Sequence, residues 1–271
     1  MTESNTVPGI YRTRHLLDHG YCRLVESWGS DERIIESARM STGKSFLGWE
    51  PGPCPTCEGS GRAPLQDFTP DFVPQTCHDC GGKGAIPGDK NLLRRLWTLK
   101  HSTPFEFAGL TVEIQAPIFV FREWHRHRTQ SYSEQSARYV EMPELFYVPS
   151  VERLRAGGQS TTNKQSSGGP LSPEAIENAR IRIAGAGRRA FAEYRAMLED
   201  GVAKELARSV LPVGTYSRMR ATTDLRNWLA FLTLRTAPGA QYETRMYADE
   251  VSKIVQELFP RTWALWAEVD P

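Results

Sequence analysis

The chain has 271 residues, of which 39% are hydrophobic, and its formal net charge is +1. This length and apolar content suffice for a well-buried core, whereas the balanced charge argues against general binding of nucleic acid or another polyanion. No apolar run approaches the ~20 residues that span a bilayer, and the N-terminus lacks an apolar signal core. We therefore expect a cytoplasmic protein without a membrane or nucleic-acid partner.

The first part of the chain predicts a strand, a helix and then a segment that lacks core-forming residues. Imperfect alternation over Tyr21–Trp28 predicts a strand, and one-sided apolar spacing over Asp31–Met40 predicts a helix. Residues 51–88 are rich in Gly, Pro and Cys and poor in aliphatic side chains. Such a stretch cannot bury a core of its own. It is predicted to be a module inserted into a single domain that spans 1–271.

Regular periodicity resumes after this module. Asp89 stands at the N-cap of a predicted helix whose apolar residues run from Leu92 to Leu99. Alternation over Leu110–Ile114 predicts a half-buried strand, and Pro117 suits the first turn of a helix through Phe121.

The second half of the chain is predicted to be rich in helices. Residues 156–170 are small and polar, which is typical of a mobile loop. Ser172 and Pro173 then begin a long helix that ends near Gly201. Further helices are predicted at 202–210, 224–236 and 239–258. The fold class is therefore α+β, a mixed sheet with helices and one small inserted module.

Two copies of the pattern CxxCxGxG lie within the inserted module. The cysteines are Cys54, Cys57, Cys77 and Cys80. Four thiolates at this spacing can surround one tetrahedral zinc ion and fill its coordination shell, so a structural zinc-ribbon site is predicted. The glycines let each loop turn tightly and direct N–H groups at sulfur. A redox pair or unligated thiols are the alternatives, and His78 is interpreted as a bystander.

The densest functional chemistry lies between Arg122 and Arg138. Closely spaced arginines and histidines repel one another, and an anionic ligand would relieve that repulsion. The planar guanidinium donates two hydrogen bonds to a phosphate, and serine hydroxyls with backbone N–H groups complete such a site. A merely solvated basic turn is the alternative. Ser136 has no evident adjacent general base, so it is interpreted as a phosphate donor and not as a nucleophile.

The order of residues in this segment resembles a known enzyme family. Arg126-His127-Arg128 and, after seven further residues, Ser136 resemble the RHR-x7-S signature of flavin-dependent thymidylate synthases. Similar blocks follow the family's order: HSTPFE at 101–106, ARSVLP at 207–212, FLTLR at 231–235 and AQYE at 240–243. The resemblance covers the chain apart from its N-terminal tail and the cysteine module.

This resemblance implies a homotetramer with an α+β core and active sites shared between subunits. It implies methylation of dUMP to dTMP with FAD, NADPH and 5,10-methylenetetrahydrofolate, without attack of an enzyme cysteine on the pyrimidine. The implied FAD contacts are Ser41, His101, Thr103, Glu106, Arg126, His127, Arg128, Glu134, Asp224, Arg226 and Ala230. The implied dUMP contacts are Glu123, Arg126, Glu134, Gln135, Ser136, Ala137, Arg138, Arg208 and Arg235.

Among these residues Arg235 resembles the family's catalytic arginine. A fixed guanidinium beside uracil N3 stabilises the N3 anion and moves charge toward C5. The segment Asn163-Lys164-Gln165 also resembles a family segment near the flavin.

Some positions depart from the family pattern. Glu123 stands where several relatives have Gln, and Asp224 and Ala230 stand where the family has Asn. Gly239 stands at the position of a family His. Asp224 can accept hydrogen bonds but not donate them as Asn does, and its alternative role is the N-cap of the helix that follows.

Two other functions stay open on the sequence. The same fold could modify dUMP differently, for example by hydroxymethylation. The paired CxxCxGxG resembles the cysteine-rich region of J-type chaperones, although this chain has only two repeats and no HPD. A zinc-ribbon protein that binds nucleic acid or unfolded chains would explain residues 54–84 alone.

Overall fold

The structure is a computed structural model that describes residues 13–63, 75–161 and 168–269. The described residues form two compact units, each assembled from several segments. Among the described residues, the first unit draws on 13–26, 110–161, 168–223 and 229–254, and the second on 27–63, 75–109, 224–228 and 255–269. No helix in the described ranges is long and apolar enough to cross a membrane.

The strands form one large sheet and one small one. They are β1 (Arg14–Leu16), β2 (Gly20–Trp28), β3 (Gly52–Pro53), β4 (Ala85–Ile86), β5 (Gly109–Pro117), β6 (Ser131–Glu134) and β7 (Tyr216–Asp224). The five-stranded sheet has the order β1-β2-β5-β7-β6, and β3 pairs with β4 separately. The β1–β2 and β6–β7 pairs are antiparallel, with Ser131 opposite Thr222 in the second.

Helices make up most of the remaining regular structure. They are α1 (Asp31–Arg39), α2 (Lys90–Thr98), α3 (Ile118–Trp124), α4 (Val151–Arg155), α5 (Pro173–Glu199), α6 (Lys204–Ala207), α7 (Leu225–Arg235), α8 (Tyr242–Leu258) and α9 (Pro260–Ala267). Short 3-10 helices cover Met40–Thr42, Thr103–Phe107 and Arg208–Val210. The predicted α+β class is confirmed. The elements that were not predicted are β1, β3, β4, β6, β7, α4 and α9.

The central strand β5 is buried on both faces, so the expectation of a half-buried strand was wrong. Leu110, Val112 and Ile114 are fully buried, as their alternation suggested. The intervening Thr111 and Glu113 are also buried. Glu113 accepts hydrogen bonds from Tyr21, Arg23 and Arg220 at 2.6–3.1 Å. Polar residues can occupy this face because partners on the neighbouring strands satisfy them.

The start of α2 is predicted correctly, but the reason for it was wrong. Asp89 occupies the N-cap position without making a side-chain capping bond. Its buried carboxylate instead accepts from the Arg39 guanidinium and from the backbone N–H of Leu47. Asp89 therefore ties the segment that follows α1 to the start of α2.

The helix α9 begins where a distant residue caps it. Asp31, at the start of α1, is buried and accepts from the N–H groups of Arg261 and Thr262 at 2.8 and 3.1 Å. The Thr262 hydroxyl donates to the same carboxylate at 2.6 Å. Pro260 suits the first position of this helix, but the cap itself is supplied by tertiary contact.

The predicted loop and helix after β6 are described in part. Residues 162–167 of the 156–170 loop, including Asn163, Lys164 and Gln165, lie outside the described residues. Ser172 caps α5 by accepting from Ala175 N at 3.1 Å, as the Ser-Pro signal predicted. The helix predicted at 202–210 is instead the short α6 and a 3-10 turn.

Candidate active site

The arginine-histidine motif forms a tight turn at the end of α3. His127 N–H donates to Trp124 O at 3.0 Å, and Gln130 N–H donates to His127 O at 3.2 Å. The Tyr132 hydroxyl of β6 donates to His127 O at 2.6 Å and lies 3.1 Å from Trp124 O. The side chains of Arg126 and Arg128 are exposed. The turn is thus held by its backbone while both guanidinium groups face solvent.

Aromatic packing from α7 supports this turn. Trp124 is fully buried, donates from Nε1 to Gln130 Oε1 at 2.9 Å, and lies 4.5 Å from the Phe231 ring. The His127 ring meets Phe231 edge-on at 4.8 Å. Because interiors are close-packed, these rings restrict the orientation of His127.

Arg235, the predicted catalytic residue, contacts two other predicted site residues. Its Nε donates to His127 Nε2 at 2.9 Å, its Nη1 to Glu123 Oε2 at 3.0 Å, and its Nη2 to Glu123 O at 3.0 Å. Arginine can only donate, so His127 Nε2 must be the acceptor and its ring proton sits on Nδ1. The structure therefore joins Glu123, His127 and Arg235 in one hydrogen-bonded group.

This group explains one departure from the family pattern. Glu123 is an anion where several relatives have a neutral Gln, and its carboxylate pairs with the Arg235 guanidinium. The Arg235 side chain is only 16% exposed, so a partner offsets the loss of solvent around its charge. Glu123 thus has a structural partner in this chain.

His127 makes the stability of the first unit sensitive to acid. Burial and the neighbouring Arg235 charge lower the pKa of His127 from 6.5 to about 4, against the opposing effect of Glu123. Between these pH values the unfolded chain binds a proton that the folded chain does not. We therefore expect the free energy of unfolding to fall as pH drops from 6.5 toward 4.

A His127→Gln variant tests this expectation, because Gln keeps an acceptor for Arg235 but does not titrate. Denaturant unfolding across this pH interval should give a shallower pH dependence for the variant than for the wild type. The exposed His78→Gln variant is the matched control and should follow the wild type. If the free energy of unfolding changes equally with pH in His127→Gln and in the wild type, His127 is not the source of the acid sensitivity.

A cavity of about 290 Å³ in the first unit gathers the predicted phosphate residues. Its lining residues are Ile118, Glu134, Gln135, Ser136, Ala137, Met142, Arg208, Leu211 and Ser217. Glu134 is the last residue of β6, and Arg208 is the first residue of a 3-10 helix. The backbone carbonyl of Ser136 accepts a hydrogen bond from the Tyr139 N–H in the turn after β6. The fold thus brings two sequence blocks, 134–137 and Arg208, around one concave space.

Three predicted arginines are not among the residues that line this cavity in the described part of the chain. Arg126 is exposed, Arg235 is bound to Glu123, and Arg138 pairs with Glu205 at 3.2 Å. The Arg138–Glu205 pair is about half exposed on each side, and such pairs contribute only about 0–1 kcal/mol. A phosphorylated ligand could therefore compete for Arg138.

Several predicted cofactor residues cluster in the second unit. Arg226 Nη1 donates to Glu106 Oε1 at 2.6 Å, and Leu225 N–H donates to Ala108 O at 2.7 Å. His101 and Thr103 are exposed just before Glu106. Helix α1, which precedes the exposed Ser41, packs against the 3-10 helix that contains Thr103.

Asp224 acts in this structure as a helix cap. Its Oδ1 accepts from the Asn227 N–H at 2.9 Å, and its Oδ2 accepts from Asn227 Nδ2 at 2.7 Å. This confirms the N-cap interpretation of Asp224. Ala230, the other departure on α7, is exposed and presents only a methyl group.

The four paired cysteines meet in one buried cluster. All four Sγ atoms lie within 4.8 Å of one another. The Cys54–Cys77 and Cys57–Cys80 sulfur distances are 3.9 and 3.8 Å, too long for disulfides. Zn–S bonds of ~2.3 Å in a tetrahedron separate the sulfur atoms by ~3.8 Å. The observed spacing therefore fits a zinc ion. His78 is exposed and is not one of the clustered side chains.

Glycines allow the two cysteine loops to cross. Cys54 N–H donates to Gly84 O and Cys77 N–H donates to Gly61 O, at 2.8 and 2.9 Å. A Cβ on Gly84 would lie 2.2 Å from Gly59 O, and a Cβ on Gly61 would lie 2.4 Å from Gly82 O. Neither crossing can form with a larger residue, which explains the last glycine of each repeat, Gly61 and Gly84.

The fifth cysteine is not a candidate nucleophile. Cys22 is fully buried on β2, and burial raises the pKa of its thiol to about 12. A thiol that stays protonated near neutral pH is a poor nucleophile. This agrees with the expectation that no cysteine attacks the substrate.

Comparison with known proteins connects these features. A family model described as thymidylate synthase complementing protein, Thy1, matches residues 23–261. A flavin-dependent thymidylate synthase of Thermus thermophilus is 35% identical over 253 residues, which cover 93% of this chain and 77% of the relative. The chain belongs to the flavin-dependent thymidylate synthase family. A Wolbachia pipientis relative in that family is 31% identical over 259 residues, 96% of this chain and 78% of its own.

Solved structures agree with this family membership. The UMP/dUMP methylase PolB from Streptomyces cacaoi bound with 5-Br dUMP superposes with a TM-score of 0.71 and 30% identity. The match covers 94% of this chain and 99% of that one. The same methylase bound with 5-Br UMP gives a TM-score of 0.70.

The cavity of this flavin-dependent thymidylate synthase family member also contains residues that were not predicted. Ile118, Met142, Leu211 and Ser217 complete its lining. Each stands outside the charged motif, on or beside different elements. A single sequence carries no signal for them, because only tertiary packing brings them to the cavity.

Proposed function

We propose that this chain catalyses the reductive methylation of dUMP to dTMP with 5,10-methylenetetrahydrofolate, FAD and NADPH. The observation that supports it most directly is the cavity lined by Glu134–Ala137 and Arg208. These are the positions that match the family's dUMP contacts. Family membership supports the reaction class, and the cavity supports the nucleotide.

Within the cavity the polar groups suit different parts of a nucleotide. The Arg208 guanidinium and the Ser136 hydroxyl are donors that suit phosphate oxygens. The Glu134 carboxylate can only accept while ionised, so it suits a sugar hydroxyl and not a phosphate. Ile118, Met142 and Leu211 supply the apolar lining that is usual in small-molecule sites.

Arg235 is the proposed catalytic residue. Its guanidinium is held by Glu123 and His127 and stays cationic at all relevant pH values. A cation at a fixed position would stabilise negative charge that develops on the uracil ring. The neutral His127 keeps a second positive charge away from that guanidinium.

Several of the proposed cofactor residues lie together in the second unit. Thr103, His101 and Arg226 offer exposed donors near Glu106, which fits a phosphorylated, hydroxyl-bearing group such as FAD. FAD, when bound, supplies the redox chemistry of the one-carbon transfer. Ser41, Arg126, His127, Arg128 and Ala230 are also proposed as FAD contacts, because they match the family's FAD positions. We also propose that the protein is a homotetramer whose active sites are shared between subunits.

The cysteine cluster is proposed to hold one structural zinc ion per chain. Four thiolates exhaust a tetrahedral shell and leave no position for a substrate. The proposed role is therefore to order a segment that lacks a core. Lys44 Nζ donates to Asp79 O at 3.3 Å, which ties the segment after Ser41 to the module.

The test is an anaerobic assay of purified protein with FAD, NADPH, 5,10-methylenetetrahydrofolate and dUMP, or UMP in parallel, with mass analysis of the product. We expect dTMP from dUMP. A product heavier by one oxygen would indicate hydroxymethylation. Bound flavin with no conversion of either nucleotide would contradict the proposed function, as would colourless protein that binds nucleic acid at moderate salt.

A substitution of Arg208 tests whether this residue binds the phosphate of dUMP. Arg208→Ala should weaken dUMP binding by about 10- to 100-fold, because a charge-assisted hydrogen bond contributes ~1.5–3 kcal/mol. Titration calorimetry measures this. Arg94→Ala removes an equally charged residue that pairs with Glu268 and does not line the cavity, so it should leave dUMP affinity unchanged. Equal affinities for Arg208→Ala and Arg94→Ala would reject the phosphate role.

A further inference from the structure

One cavity residue has no role in the proposed contacts. Ser217 lies on β7, is 2% exposed, and lines the same cavity as Glu134–Ala137 and Arg208. Within residues 13–63, 75–161 and 168–269, its Oγ atom has no hydrogen-bond partner. Ser217 therefore carries an enclosed hydroxyl on a residue that lines the cavity.

An enclosed hydroxyl without a partner is unfavourable. Buried polar groups are almost always paired, and leaving one unpaired costs about 1–3 kcal/mol. An alanine at position 217 would avoid that cost within the folded chain. Because Ser217 lines the cavity, a rotation about its Cα–Cβ bond that presented Oγ there would let a ligand atom satisfy the hydroxyl.

We infer that Ser217 is an additional binding residue for the nucleotide, and that its hydroxyl hydrogen-bonds to an oxygen of the sugar-phosphate. The inference rests on the proposed function for its ligand. It goes beyond that function because Ser217 lies outside every motif that matches the family. A hydroxyl both donates and accepts, so the partner is either a phosphate oxygen or a sugar oxygen.

The surroundings of Ser217 strengthen such a bond. Ile118, Met142 and Leu211 line the cavity with apolar groups, so a bound nucleotide displaces water from that side. A hydrogen bond in a water-poor cavity is electrostatically stronger than one in solvent. Arg208, in the same lining, supplies the charge that Ser217 lacks. Arg208 is therefore expected to bring affinity, and Ser217 to fix the position of the nucleotide.

The chain contains a matched control two residues away. Thr215 is fully buried and its hydroxyl also has no hydrogen-bond partner among the described residues, but Thr215 does not line the cavity. Thr215→Val removes that hydroxyl at nearly constant volume. The pair Ser217→Ala and Thr215→Val therefore separates loss of a cavity hydroxyl from loss of any buried hydroxyl.

The experiment compares dUMP dissociation constants and steady-state constants for the wild type and both variants, in the FAD-containing enzyme. Ser217→Ala should weaken dUMP binding about 10-fold, mainly as a higher KM, with a thermal midpoint equal to or above the wild-type value. Thr215→Val should bind dUMP within about 2-fold of the wild type. Competition between inorganic phosphate and dUMP shows which oxygen Ser217 contacts. If phosphate inhibits dUMP binding more weakly in Ser217→Ala than in the wild type, the contact is to the phosphate. If its inhibition is unchanged, the contact is to the sugar.

Unchanged dUMP affinity in a folded Ser217→Ala enzyme overturns the inference and leaves the proposed function intact. If the wild-type enzyme itself does not bind dUMP, the proposed function fails instead. Should Ser217→Ala not fold, Ser217→Cys preserves the shape with a much weaker hydrogen-bonding group, and it should show the same loss. Wild-type affinity in Ser217→Cys would then overturn the inference.

Discussion

Replacing Arg235 by Ala should lower kcat for dTMP formation by about 100- to 1000-fold, the effect typical of losing one preorganised charge-stabilising donor. The protein should still bind FAD, because the exposed cofactor residues of the second unit are untouched. Product analysis and flavin absorbance measure the two properties separately. The expected loss of kcat is large because Glu123 and His127 hold the Arg235 guanidinium in one position.

The arrangement around Arg235 also gives a spectroscopic check. The Arg235 charge is one of the causes that lower the pKa of His127, so the pKa of His127 should rise in Arg235→Ala. Histidine resonances followed across a pH titration would report it. Arg235→Lys retains a charge but loses the planar fork and should recover only part of the activity. Normal turnover in Arg235→Ala would reject the catalytic role.

Replacing Gly84 by Ala should abolish zinc binding. The new Cβ would lie 2.2 Å from Gly59 O, so the two cysteine loops could not cross and their thiols could not converge. Metal analysis of protein purified under reducing conditions should find one zinc per wild-type chain and almost none in the variant. The thermal midpoint should fall as well, because metal binding is coupled to folding of the site.

Gly81→Ala is the matched control for this experiment. Gly81 and Gly84 both have positive φ, at +61° and +68°, so an alanine is strained at either position. Only Gly84 has a backbone atom in the path of its Cβ, whereas Gly81 has nothing within 4 Å. Gly81→Ala should therefore keep its zinc. Full zinc content in Gly84→Ala, or none in the wild type, would contradict the proposed metal site.

Removal of zinc should also lower the affinity for FAD, because the cysteine module contacts the segment around Ser41 in the second unit. Lys44 and Asp89 connect the segment around Ser41 to the cysteine module and to α2. When the module loses its metal, this segment loses part of its support, and FAD affinity should fall with it. A metal-free enzyme that binds FAD as tightly as the wild type would restrict the module to a purely local role.

The amino-acid sequence by itself determined the elements that depend on local patterns. Periodicity located β2, α1, α5 and α8 to within a few residues, and the Ser172-Pro173 signal set the start of α5. The spacing of the cysteines predicted their convergence, because ligand geometry restricts that spacing tightly. Charge density singled out the arginine-histidine turn, and resemblance to a family supplied its chemistry.

Only the tertiary structure decided which distant groups meet. It pairs Glu123 with Arg235 and Asp89 with Arg39, and it places Asp31 at the start of α9. It also brought Ser217 to the cavity and buried both faces of β5. The reason is physical: a local pattern reports one residue's preference for a conformation, whereas a partner for a charge or hydroxyl is chosen by packing between segments far apart in the chain.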